Sequence, residues 1–208
     1  MSKNKEIAFK VAEYLLKIKA IKLSPQGLFT WASGKKSPIY CDNRVILSYP
    51  EARNFIKKTF TDVLKEKYPD AEMIAGVATG AIAIGVLVAE EMGLPFCYVR
   101  SKAKEHGRKN MVEGDVPAGT KVVVVEDLIS TGGSSLKAVE GLREIGAEVI
   151  GLEAIFTYSF QQSITAFTAA NCKMDTLSDF PSLVAFAKAN NLYKEDDIVF
   201  MEEWYKSM

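Results

Sequence analysis

The sequence predicts an α/β fold, an open and mainly parallel sheet with helices on both faces. Short runs of continuous apolar character, "MIAGVA" at 73–78 and "KVVVVE" at 121–126, read as strands buried on both sides. Segments at helical spacing alternate with them, and two of these close on a glycine, at Gly93 and Gly146. Alternating strands and helices of this kind build a parallel sheet between two helical layers.

Taken in order, residues 4–20 carry Ile7, Val11, Tyr14, Leu15 and Ile18 at helical spacing. Residues 27–49 mix aromatic and β-branched side chains around a Ser-Gly-Lys-Lys-Ser-Pro turn, which predicts a short hairpin. A second helix is expected after Pro50, ending near Tyr68. Strands follow at 73–78, 95–100, 121–126 and 148–158, with helices at 80–93 and 133–146. The chain reads as one domain over 1–208, its core at about 69–160 and a partial cap from about 1–68 and 160–208.

Bulk composition narrows the function. Lysine plus arginine equals aspartate plus glutamate, 26 against 26, so no net basic charge points to nucleic acid. Cys41, Cys97 and Cys172 are odd in number and far apart, which fits a reducing compartment and suits neither a disulfide framework nor zinc. His106 is the only histidine. With no signal-peptide pattern and no apolar run of membrane length, a cytoplasmic protein without membrane contact is expected.

The chemistry concentrates at "KVVVVEDLISTGG", residues 121–133. In an open parallel sheet, ligands bind beyond the carboxyl ends of the strands. Glu126 and Asp127 stand at such an end, and Ser130, Thr131, Gly132 and Gly133 lead into a helix. A tight loop of small residues aims backbone N–H groups at one anion, helped by the helix N-terminus. The adjacent acids are good acceptors for sugar hydroxyls. A ribose 5-phosphate satisfies both halves. A plain strand-to-helix turn, with Ser or Thr capping the helix, would use the same residue types. The adjacent acids favour a ligand, since charge at a strand end is costly without a partner. Walker, dinucleotide-binding and nucleophile-elbow motifs are absent from the sequence.

Between two strands, Arg100, Lys102, Lys104, Arg108 and Lys109 fall within ten residues, with His106 among them. A long basic loop suits a highly charged ligand that must be enclosed and released, pyrophosphate first. A solvated surface loop would have the same composition.

These segments resemble a known family. "VVVVEDLISTGGSS" resembles the phosphoribosyl-pyrophosphate (PRPP) signature of type I phosphoribosyltransferases. "RSKAKEHGRKNMVEG" resembles the catalytic loop of the orotate-specific branch, and "GLFTWASGKKSPIYCDNR" its N-terminal element. The resemblance implies that PRPP and orotate give orotidine 5′-monophosphate and pyrophosphate, with Mg²⁺ held mainly by PRPP instead of by protein ligands, in pyrimidine synthesis. It places PRPP on Arg100, Lys104, His106, Glu126, Asp127, Leu128, Ile129, Ser130, Thr131, Gly132, Gly133 and Ser134. Glu126 and Asp127 would take the ribose hydroxyls, residues 128–134 the 5′-phosphate, and Arg100, Lys104 and His106 the pyrophosphate. Lys104, His106 and Asp127 would be catalytic. It also implies a homodimer in which the loop 101–114 completes the partner's site.

The chain departs from the family pattern at several places. Trp31-Ala32 follows Phe29-Thr30 where a lysine is common. Ala78-Thr79-Gly80 stands where many members have Tyr-Lys, and Ser101 where a lysine often follows the loop arginine. Phe156-Thr157-Tyr158 replaces an Asp-Arg whose arginine meets the orotate carboxylate in some members. Ser130 and Arg44 are the expected orotate-binding residues, with Lys36 the alternative to Arg44. A transferase for another base shares the donor motif, and a PRPP-binding regulator shares the fold. The N-terminal element favours orotate, and the neutral charge argues against the regulator.

Overall fold

The structure, a computed structural model, describes residues 4–31, 34–101 and 111–208. Helix α1 (Lys5–Lys17) begins at Asn4, whose side chain accepts from the N–H groups of Glu6 and Ile7, and it buries Ala8, Val11, Ala12 and Leu15. Strand β1 (Ile21–Leu23) pairs antiparallel with β4 (Ile39–Cys41), and β2 (Phe29–Thr30) with β3 (Lys36–Ser37) forms the expected small hairpin. A 3₁₀ turn (Asn43–Ser48) leads into α2 (Pro50–Lys67), where proline occupies the first turn and no N–H is missed.

The main sheet has six strands: β5 (Met73–Val77), β6 (Phe96–Val99), β7 (Val112–Glu113), β8 (Lys121–Ile129), β9 (Glu148–Thr157) and β10 (Met174–Asp179). Their spatial order is β10-β9-β8-β5-β6-β7, parallel throughout except for the short β7. From β5 the chain passes through α3 (Ile82–Met92) to β6 on one side. From β8, on the other side of β5, it passes through α4 (Gly133–Glu144) to β9. The order therefore reverses between β5 and β8, and right-handed crossovers send α3 and α4 to opposite faces. The remaining helices are α5 (Gln161–Ala169), α6 (Phe180–Ala189) and α7 (Glu195–Lys206).

The four valines of β8 serve both layers. Val123 and Val125 face the core built with α1, α2, α3 and α6, while Val122 and Val124 face the core under α4. All four are fully buried, and each contributes roughly 1.5–3 kcal/mol on an extended-chain reference. Period-2 alternation then continues into the acids, so Glu126 follows Val124 towards α4 and Asp127 follows Val125 to the opposite face. The strand is also longer than its apolar run. Glu126 pairs with Ala154 and Leu128 with Phe156, so the acids lie within the ladder near its carboxyl end. The sheet likewise continues past residue 160, since "MDTLSD" forms the edge strand β10 without any apolar run to announce it.

Candidate active site

The crevice at the switch point lies between the carboxyl ends of β5 and β8. Asp127 reaches it, partly exposed, and its carboxylate fills the space over Gly80 in the loop after β5. A Cβ at Gly80 would run into that carboxylate. Glu126 is 3% exposed and meets α4, its carboxyl also beside that of Asp127. One of its oxygens accepts the Ser135 hydroxyl at 2.7 Å and the other accepts the Asp127 N–H at 3.0 Å. Burial, then the charge of Asp127, pushes the Glu126 carboxyl well above its ordinary range, although the Ser135 hydrogen bond opposes this. Asp127 is raised as well, again by burial first, with Arg44 among the influences that lower it. Glu126 is the more enclosed of the two. Asp127 is thus the more exposed acid of the pair at the crevice.

The loop from Ser130 to Ser134 joins β8 to α4. The residue that caps α4 is Gly132, at φ 84°, and no side chain caps the helix. The Ser/Thr-capped turn is thus not what forms here, and the first N–H groups of α4 are left to another acceptor. Gly132 is required twice, because its φ is left-handed and because a Cβ would lie 2.7 Å from the Phe167 ring. The ends of the loop are tied together by the buried Glu126–Ser135 hydrogen bond.

Arg100 follows β6, its N–H donating to the Met111 carbonyl at 2.8 Å and its guanidinium lying 3.4 Å from Glu113. A cavity of about 180 Å³ separates the ends of β5 and β6 from the first turn of α4, bordered by Ala78, Arg100, Ser101, Ser134 and Lys137. Lys102, Lys104, His106, Arg108 and Lys109, like Ala32, lie outside the described residues.

The N-terminal segment closes the crevice on the side of Asp127. Asn43 is buried and donates from Nδ2 to the Asp127 carbonyl at 2.6 Å. Next to it, Arg44 forks onto Asp42 through Nε and Nη2 at 2.7 and 2.9 Å, which holds the Asp42 carboxyl below its usual range. Its charge reaches Asp127 and Tyr40. Lys36, by contrast, donates to the Thr30 hydroxyl at 2.7 Å within the hairpin. Of the two cations expected for the orotate carboxylate, Lys36 is engaged within the hairpin and Arg44 follows Asn43, which bonds the Asp127 backbone. Trp31 packs 5.1 Å from Tyr158 and donates Nε1–H to the Ile39 carbonyl, while Trp204 and Tyr205 pack α7 onto Phe180. These aromatics hold the cap to the sheet.

Sequence reasoning missed Ser135 and Asn43. The first could have been found by alternation, since Glu126 had to face α4 and would need a donor there. Asn43 gave no local signal, because its partner is 84 positions away.

Comparison with known proteins agrees with this arrangement. The family model described as "Phosphoribosyl transferase domain" matches residues 47–172. An orotate phosphoribosyltransferase of Phocaeicola vulgatus is 54% identical over 195 residues, covering 94% of this chain and 92% of that protein. One of Cytophaga hutchinsonii is 50% identical over 207 residues, covering 100% and 97%. The crystal structure of orotate phosphoribosyltransferase from Aeropyrum pernix has a TM-score of 0.77 at 26% identity, covering 88% of this chain and 99% of that one. By its fold, its switch-point site and these similarities, the chain belongs to the phosphoribosyltransferase family, in its orotate phosphoribosyltransferase branch.

Proposed function

We propose that the protein transfers ribose 5-phosphate from PRPP to orotate, giving orotidine 5′-monophosphate and pyrophosphate, and so serves pyrimidine nucleotide synthesis. The observation that carries this reading is the pairing at one switch point of a crevice carboxylate, Asp127, with an uncapped loop-to-helix junction at 130–134. A sugar with a phosphate on it needs both. Asp127 accepts from a ribose hydroxyl. Glu126 acts from beneath, fixing the Asp127 backbone and the start of α4. Residues 128–134 take the 5′-phosphate, and Ser130 also borders the base.

Loss of pyrophosphate from C1′ develops oxocarbenium character on the ribose. Asp127, fixed nearby, favours that charge, and Arg100, Lys104 and His106 favour the departing anion. Lys104 and His106 are the groups that stabilise or protonate the leaving oxygens. A nitrogen of orotate attacks the opposite face and inverts the centre. The orotate carboxylate is assigned to Arg44, whose guanidinium is preset by Asp42 and keeps N–H groups in reserve. Mg²⁺ would be held mainly by PRPP, because it prefers phosphate oxygens and water with few protein ligands, and Asp127 adds negative charge at the crevice without being needed as a ligand. When bound, the ion would supply positive charge to the pyrophosphate oxygens, adding to that of Arg100, Lys104 and His106.

The same reading includes a homodimer, with the loop 101–114 completing the partner's site, and a cytoplasmic location. Three free thiols, at Cys41, Cys97 and Cys172, agree with a reducing compartment. Among the described residues no helix is long and apolar enough to cross a membrane. Sedimentation of the purified protein tests the dimer.

The enzymatic test follows orotate absorbance with PRPP and Mg²⁺, with adenine, hypoxanthine and uracil in parallel. Orotate loss that disappears in Lys104→Ala supports both the substrate and the basic loop. Turnover of another base in place of orotate overturns the specificity.

A further inference from the structure

The cavity beside α4 carries a cation, Lys137, that is not among the motif residues. Arg100 and Ser101 enter it from the end of β6, and Ala78 from the end of β5. Ser134 and Lys137 enter from the first turn of α4, three residues apart and so on one helical face. None of the described residues lining it is acidic. Among the described residues no carboxylate pairs with Lys137, whereas Arg100 is partly held by Glu113. Two cations and two hydroxyls around about 180 Å³ make a receptor for a compact polyanion.

Its place in the sheet says which anion. The loop at 130–133 sits at the tip of β8, as does the sugar acceptor Asp127. The cavity begins at Ser134, where that loop enters α4, and extends from there towards β5 and β6, one to two strands or about 5–10 Å along the sheet. That distance is what separates the C1 substituent of a ribose from its 5′-phosphate. The loop after β5, Ala78-Thr79-Gly80, meanwhile brings no cation, and Ala78 borders this cavity.

We propose that Lys137 binds the pyrophosphate group of the donor, supplying positive charge from α4 alongside Arg100 from the end of β6. The proposal rests on the phosphoribosyl-transfer reading above and adds a residue to it. Lys137 is exposed on a regular helix, so its replacement leaves the fold intact.

The test compares wild type, Lys137→Ala and Lys137→Arg by isothermal titration with pyrophosphate plus Mg²⁺, and separately with orotidine 5′-monophosphate. The nucleotide carries the 5′-phosphate without the pyrophosphate. Lys137→Ala is expected to weaken pyrophosphate roughly tenfold or more, the loss of one charge-assisted contact. It is expected to leave the nucleotide unchanged, with Lys137→Arg retaining most of the affinity. The KM for PRPP should rise in parallel. Equal weakening of both ligands would assign Lys137 to the 5′-phosphate and overturn the proposal, as would no change in either. Titration needs no turnover, so failure of the wild type to consume orotate would overturn the proposed substrate without touching this result.

Discussion

Replacing Glu126 with glutamine is expected to stabilise the ligand-free protein at neutral and alkaline pH. Glu126 is 3% exposed, and burial together with the charge of Asp127 raises its carboxyl well above the ordinary range. In the unfolded chain the same group ionises near pH ~4.3. Between that value and the raised folded value, the folded state keeps a proton that the unfolded state has released. Stability therefore falls as pH rises through this window, by about 1.4 kcal/mol per pH unit when the difference is one full proton. Below the window the term vanishes, and above the folded value the decline stops. Glutamine removes the titration and keeps both bonds. Its carbonyl accepts the Asp127 N–H, and its amide donates to the Ser135 hydroxyl, which rotates to receive it. The assay is thermal unfolding of wild type and Glu126→Gln at pH 5, 6, 7 and 8 without ligand. For a chain of this size 1 kcal/mol corresponds to about 2–4 °C in Tm. The two curves should thus diverge by roughly 3–6 °C for each pH unit inside the window. Asp127 is raised in the same direction and contributes to the wild-type slope in both proteins. Parallel curves would refute the assignment of Glu126 as the buried, proton-holding acid.

Other perturbations reach different parts of the structure. Gly80→Ala drives a Cβ into the Asp127 carboxylate. It should cut kcat/KM for PRPP by about tenfold or more, a loss of ~1.4 kcal/mol in transition-state binding, with little change in Tm. Steady-state kinetics beside a melting curve decide it, and unchanged kinetics would mean that Asp127 does not work from its place over Gly80. Gly132→Ala forces a left-handed φ of 84° on a residue with a Cβ and presses that Cβ on Phe167. The backbone term alone is about 1–2 kcal/mol, so Tm should fall by at least about 2–8 °C. Lys67→Met withdraws a cation that lies 3.0 Å from the fully buried Glu153 and 2.8 Å from Asp175. Removing one partner from such a cluster costs about 3 kcal/mol, the low end for buried pairs because Lys67 is partly exposed. A urea midpoint that does not move would show the cluster to be energetically idle.

Much of the fold was legible because the central strands announce themselves by burial on both faces. "MIAGVA", "PFCYVR" and "EVIGLEAIFTY" each became a strand within a few residues of its expected limits. The edge was not legible. "MDTLSD" has no apolar run, since an edge strand is only half covered and its pattern is shared with loops. In the site, the acids and the small-residue loop could be read, because phosphate and sugar chemistry demands those residue types at that spacing. Their division of labour could not be read from adjacency. It depends on the period of the strand, which turns one acid to the crevice and the other to α4. Asn43 was out of reach for another reason, since it acquires its place only when segments far apart in sequence are brought together by the sheet order.

The hydrogen bond between Glu126 and Ser135 has a consequence for how tightly an empty enzyme can wait. It joins the last turns of a strand to the first turn of a helix across the loop between them, inside the protein and out of reach of solvent. The conformational entropy of that loop is thereby surrendered during folding and not when ligand arrives, at about 1–2 kcal/mol for each residue otherwise left free. An anion entering the loop meets N–H groups already in formation, so its binding free energy is spent little on ordering the receptor. The stiffness that makes Glu126 a liability for the ligand-free fold is, on the other side of the same bond, a saving in every binding event.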